Sequence, residues 1–132
     1  MDKPTRILVA DEDARLVHDV ETMLKQALPD ICIVVAHDWA QALNILFWQD
    51  NTVLPHLIIL DLTLPQTSGL EVLKQIKQHP VTQSIPVIML SKASSENSMV
   101  NCYAWGAASF LRKPIKLEQL VAVLQYCLAA KL

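Results

Sequence analysis

Apolar positions in this chain fall into two alternating patterns. Residues 6–10, 31–36, 56–60, 86–90 and 109–112 are short, largely unbroken apolar runs that read as strands. The run Leu57-Ile-Ile-Leu60 is apolar at every position, as in a strand of a parallel sheet covered on both faces. Between the runs, apolar residues recur at three and four, as in Val17, Val20, Met23, Leu24 and Leu28, or Leu117, Leu120, Val121, Leu124 and Leu128. That spacing lays each set along one face of a helix. Five strands alternating with five helices predict an α/β domain with a parallel sheet. Asp38 and Ser68 are predicted helix N-caps, Pro29 and Pro80 close the first and third helices, and Pro55 and Pro86 lead into strands three and four.

A five-stranded doubly wound sheet commonly takes the order 2-1-3-4-5, with its ligands at the carboxyl ends of the strands where the order reverses. Strands one and three are then neighbours. This brings Asp11 and Glu12, after the first strand, beside Asp61, which ends the third. Right-handed crossovers carry strands four and five past strand three, so Ser91 and Lys113 converge on the same crevice. The expected site holds three carboxylates, a hydroxyl and an ammonium.

Composition narrows the chemistry. With 132 residues and 52% hydrophobic content, the chain suffices for one domain with its own core, here residues 1–132. A formal net charge of −2 without a basic block argues against direct binding of nucleic acid. The apolar runs are too short to span a membrane and the start is unlike a signal peptide, so a soluble, cytoplasmic protein is expected. Cys32, Cys102 and Cys127 lie far apart without metal or redox spacing, and they read as small buried hydrophobes in a reducing compartment. Only Gly69 and Gly106 occur as glycines, too few for a glycine-rich phosphate loop. His18, His37, His56 and His79 fall in different segments and are expected in surface or packing roles. Trp39, Trp48 and Trp105 are expected as core or interface anchors, and Phe47-Trp48 as a partly buried pair.

Three carboxylates in one crevice repel each other unless a cation neutralises them. All-oxygen donors favour a hard divalent ion such as Mg²⁺. An aspartate beside such an ion, with an ammonium and a hydroxyl opposite, is equipped to accept a phosphoryl group, since transfer spreads negative charge that must be stabilised. Asp61 is the expected nucleophile, with Lys113 and Ser91 contacting phosphoryl oxygens.

The chain resembles the response-regulator receiver domains of two-component signalling from Arg6 to about Ala130. The resemblance lies in Ile7-Leu-Val-Ala-Asp11-Glu12, Leu60-Asp61-Leu-Thr63-Leu-Pro65 with Gly69, Pro86-Val-Ile-Met-Leu-Ser91, and Gly106-Ala-Ala-Ser-Phe110-Leu-Arg-Lys113-Pro114. It implies a flavodoxin-like (βα)5 fold in which Asp61 takes a phosphoryl group from a sensor histidine kinase or phosphotransfer protein. Asp11, Glu12, Asp61 and the backbone carbonyl of Thr63 would serve Mg²⁺, and the bond between Lys113 and Pro114 is often cis in the family. Ser91 and Phe110 would form the switch. The chain ends with its fifth helix, so no output domain is expected. The signal would leave through the face built from the fourth helix, fifth strand and fifth helix, to a downstream target or a second copy in a homodimer. Along the last helix Val123, Tyr126, Cys127 and Ala130 fall partly off the core stripe and would mark such a patch.

Two positions depart from the family pattern. Glu12 stands where Asp is usual and reaches one methylene further, which bears on an ion that demands near-ideal octahedral geometry. Lys92 follows the strand-four hydroxyl where a small residue is usual, and is expected either to hold the phosphoryl group longer or to obstruct its donor. A pseudo-receiver, binding partners without cycling phosphate, is the rival reading. A phosphatase of the haloacid-dehalogenase type would need a second acid where Thr63 stands, and a flavin carrier would need a phosphate loop that is missing.

Overall fold

The computed structural model describes residues 5–48, 54–92 and 96–128. Five strands, β1 (Arg6–Ala10), β2 (Cys32–Ala36), β3 (Leu57–Asp61), β4 (Val87–Ser91) and β5 (Ser109–Arg112), form one sheet in the order β2-β1-β3-β4-β5. Every neighbouring pair is parallel, so each strand must return through a crossover. The order is the one expected, and it places the reversal between β1 and β3. β1 and β5 have the expected bounds and β2 starts one residue later, while β3 and β4 shift by one residue, so that Asp61 and Ser91 are their last ladder residues.

Alternation along β1 divides the core. Ile7 and Val9 face one side and pack with Val17, Val20 and Leu24 of α1 (Ala14–Ala27) and Leu120 and Leu124 of α5 (Leu117–Cys127). Leu8 and Ala10 face the other, against Ala42 of α2 (Trp39–Leu43), Val72, Leu73 and Ile76 of α3 (Gly69–Gln78) and Cys102 of α4 (Glu96–Ala104). β3 is buried along its whole length, which accounts for its apolar run.

The helix starts follow local chemistry. Asp13 caps α1 by accepting from the N–H groups of Arg15 and Leu16 at 3.0 and 3.3 Å. Asp38 caps α2 through the Gln41 N–H at 2.8 Å, and Ser68 caps α3 through the Glu71 N–H at 3.2 Å. After α2 the chain widens into a π-helical turn over Asn44–Trp48.

Several expectations shift. Leu117 is exposed as the first residue of α5, whereas Leu120 and Leu124 of the same stripe are buried. Cys32 is exposed at the start of the edge strand β2, whereas burial pushes the thiols of Cys102 and Cys127 up. Trp39 packs half-buried on the core and Trp105 is partly exposed beneath the Lys74 ammonium, 5.2 Å from the ring centre. Phe47 is half-buried with its ring 4.8 Å from that of His79, while the side chain of Trp48 lies outside the described residues. No described helix is long and apolar enough to cross a membrane.

Candidate functional site

The carboxyl ends of β1, β3, β4 and β5 meet at one pocket, and backbone pairing fixes its walls. Asp11 follows β1 and donates its N–H to the Ala36 carbonyl at 3.0 Å, which continues the β1–β2 ladder by one residue. Leu62 donates to the Leu90 carbonyl at 2.8 Å, and Lys113 donates its N–H to the Ser91 carbonyl at 2.8 Å. Each functional residue is therefore held by its own strand's ladder or by the residue next to it.

Asp61 is buried. Its Oδ1 accepts from the Thr63 N–H at 3.1 Å, and its Oδ2 accepts from Lys113 Nζ at 3.0 Å. The same ammonium lies 3.0 Å from Asp11 Oδ2 and thus bridges the two acids. Asp11 Oδ2 is fully buried against that ammonium, while Oδ1 accepts from the Asp13 N–H at 2.9 Å. Burial holds the Asp11 carboxyl above its ordinary range. The Asp13 amide and Lys113 pull it back, and Asp61 adds repulsion. For Lys113, burial opposes the charge, but hydrogen bonding and attraction from Asp11 and Asp61 outweigh it and raise its pKa.

Behind Asp61 the chain turns through a two-stranded ribbon, Thr63–Leu64 with Thr67–Ser68, that the sequence pattern did not foresee. Gln66 takes the left-handed conformation at its tip, φ 70°. Gly69 then donates to the Leu62 carbonyl at 2.6 Å. A Cβ at Gly69 would stand 2.0 Å from the Asp61 carbonyl oxygen, so only glycine lets α3 start this close to the acid.

The structure brings Asp11, Asp61 and Lys113 together, with Ser91 buried at the end of β4 alongside. Phe110 is buried in β5, in the cluster beneath α4, and the bond from Lys113 to Pro114 is cis. Glu12 and Lys92 are exposed at the pocket's margin. Among the described residues, no three His, Cys, Asp or Glu side chains stand together as a ready-made cation cage. Of the three carboxylates expected here, Asp11 and Asp61 are buried and share the Lys113 ammonium, while Glu12 is exposed.

One contact went unread in the sequence. His37 directly follows β2, and its Nδ1 lies 3.2 Å from the Asp11 carbonyl oxygen. The strand order that sets β2 beside β1 was the available signal.

The family of response regulator receiver domains matches residues 7–125 of this chain. Response regulator Rcp1 of Synechocystis sp. is 35% identical over 124 residues, which cover 90% of this chain and 82% of that protein. The phosphate regulon transcriptional regulatory protein PhoB of Escherichia coli is 35% identical over 117 residues, 89% of this chain and 48% of its own length. Among solved structures, the Mn²⁺-bound form of Rcp1 superposes with a TM-score of 0.80 at 31% identity, covering 93% of this chain and 91% of that one. The phosphorylated cyanobacterial phytochrome response regulator RcpA gives 0.85 at 25% identity, covering 98% of each chain. With this match across the strands that carry Asp11, Asp61, Ser91 and Lys113, the chain belongs to the response-regulator receiver domains of two-component signalling.

Proposed function

We propose that this domain accepts a phosphoryl group on Asp61 from a sensor histidine kinase or phosphotransfer protein, and that the phosphorylated form signals through altered protein contacts. The observation that carries this reading is the Asp61 carboxylate at the end of β3, with the Lys113 ammonium 3.0 Å from both it and Asp11. A carboxylate oxygen of Asp61 attacks phosphorus, the donor's N–P bond breaks, and the imidazole leaves. Lys113 then faces one oxygen of the new acyl phosphate and the Ser91 hydroxyl another. A move of Ser91 towards that group would leave room behind it for Phe110 of β5 to turn inward, which would link the pocket to α4 and α5.

Mg²⁺ fits the donor set. Asp11 Oδ2 is a buried carboxylate oxygen whose partner is the Lys113 ammonium, with no other N–H or O–H of the described residues bonded to it, and Mg²⁺ binds through one or two carboxylates while keeping several waters. Asp11, Asp61, the Thr63 carbonyl and the reach of Glu12 would hold it, and it would supply neutralisation of the transferring charge. That relatives were solved with Mn²⁺ bound and in phosphorylated form supports the reading. Several relatives are named as phytochrome response regulators, which makes a phytochrome-linked kinase the first donor to try.

The message would leave through α4, β5 and α5, to a target protein or a second copy. Val100, Tyr103 and Tyr126 are exposed there, and a groove of about 480 Å³ runs past Met99, Phe110, Pro114 and Lys116. Val123 and Cys127 pack partly on the core, and Ala130 lies outside the described residues, so of the four positions expected on α5 Tyr126 is the exposed one.

The exposure of Glu12 favours a second reading, a pseudo-receiver that binds partners without phosphate. Intact-protein mass after incubation with a small phosphodonor separates the two. One phosphoryl adduct that requires both Mg²⁺ and Asp61, and is lost in Asp61→Asn, is expected. No adduct, with a control receiver labelled alongside, would support the pseudo-receiver. Lys92 is tested in the same system: faster loss of phosphate in Lys92→Ala would show that it shields the acyl phosphate, and equal rates would remove it from the account.

A further inference from the structure

His37 has a place in the pocket's construction that neither its residue type nor its exposure announces. The first turn of α2 fixes its backbone: His37 donates its N–H to Gln41 Oε1 at 2.6 Å, and Asp38 caps the same helix through the Gln41 N–H at 2.8 Å. From that anchored position the imidazole Nδ1 reaches the carbonyl oxygen of Asp11 at 3.2 Å. A carbonyl only accepts, so Nδ1 carries the proton in this contact.

The Asp11 carbonyl and the Glu12 amide form one rigid plane. Whatever holds the carbonyl therefore sets the direction in which the Glu12 Cα leaves the strand. Neighbouring polar atoms of the turn are tied as well: the Asp11 N–H to Ala36, Asp11 Oδ1 to the Asp13 N–H, and Asp13 Oδ1 to Arg15 and Leu16. Glu12 is the exposed member, and its side chain has one more rotatable bond than an aspartate.

We infer that His37 is a positioning residue that clamps the turn carrying Glu12, so that α2 sets the orientation of the acid pair for a divalent cation. The inference rests on the proposed reading of Asp11 and Glu12 as cation-facing. A turn that samples other orientations binds more weakly in proportion to the fraction of time it is competent. Loss of one hydrogen bond to the turn is expected to cost about four-fold in cation affinity.

His37→Leu keeps bulk and removes the donor, while His37→Asn places an N–H at the same bond distance from Cα. The readouts are Mg²⁺ titration calorimetry, with no phosphorylation involved, and hydrogen exchange of the Asp13 amide in metal-free protein. His37→Leu should weaken Mg²⁺ binding about four-fold and speed Asp13 exchange, and His37→Asn should restore both. Unchanged affinity and exchange in His37→Leu would overturn the inference. So would equal losses in both variants accompanied by equal falls in melting temperature, since these report packing alone. A wild type that binds no Mg²⁺ contradicts the proposed function, and the clamp then stands or falls on the exchange rates.

Discussion

The pocket at the carboxyl ends of the strands and the surface of α4 and α5 are built on opposite terms. In the pocket, polar groups are held from several directions: Asp61 by the Thr63 amide and Lys113, and Asp11 by Ala36, Asp13, Lys113 and His37. On the surface, Val100 is 59% exposed, Tyr103 47% and Tyr126 77%, and α4 carries a single charged residue, Glu96. The first region is held by the chain's own contacts, and the second leaves apolar side chains exposed. Under the proposed function, chemistry that must hold atoms to within a fraction of an ångström is built on a packed sheet, and recognition is left to helices whose outer faces are not needed for folding.

The strongest test of this contrast removes the shared cation. Lys113→Ala leaves two buried carboxylates facing each other and no ammonium for the transferring charge. Phosphorylation by a small donor should slow by roughly 100-fold or more. A rate within three-fold of wild type would mean that the ion pair is only structural.

Gly69→Ala probes how tightly the pocket is closed from behind. The new Cβ would collide with the Asp61 carbonyl, so a loss of about 3 kcal/mol in urea unfolding is expected, together with impaired labelling. A loss under about 0.5 kcal/mol would show that the turn yields easily.

The pH response follows from Asp11. Its folded pKa lies above the ordinary carboxylate value, so the folded state binds more protons than the unfolded one across that window. Stability of the cation-free protein should therefore fall as pH rises from the ordinary carboxylate pKa through the raised one, then level off. Asp11→Asn should flatten this limb and raise stability at neutral pH, and added Mg²⁺ should do the same for the wild type. Lys113 has the same sign at the alkaline end, where its contribution is lost as pH rises through its raised pKa. Unfolding curves between pH 3 and 7 that run parallel in wild type and Asp11→Asn would contradict the assignment.

The smallest effect belongs to the surface. Tyr126→Ser and Val100→Ser should change unfolding free energy by no more than about 0.5 kcal/mol and leave labelling intact. Any change should appear in self-association or capture of a partner, followed by sedimentation. Loss of labelling in either variant would erase the division between the two regions.

The parts visible in the sequence are those governed by periodicity and topology. The apolar run before Asp61 implies a covered strand, and the strand order alone brings Asp11, Asp61, Ser91 and Lys113 to one end. Caps at Asp38 and Ser68 were legible because short polar side chains before apolar stripes have few other uses. Contacts set by the third dimension were hidden. The clearance at Gly69 depends on how α3 approaches β3, and the reach of His37 depends on the first turn of α2. Spacing places the Glu12 backbone beside Asp11, whereas its exposure depends on the turn to the Asp13 cap. The ribbon around Gln66 lies between strands and shows no period at all.

The central claim is that the Asp61 carboxylate itself receives phosphate. Labelling the protein with a phosphodonor and Mg²⁺, reducing the acyl phosphate with borohydride and mapping the peptides would locate it directly. Homoserine at position 61, absent without Mg²⁺, is the expected result. Phosphate on any other side chain, or an unmodified position 61 in fully labelled protein, would contradict the account.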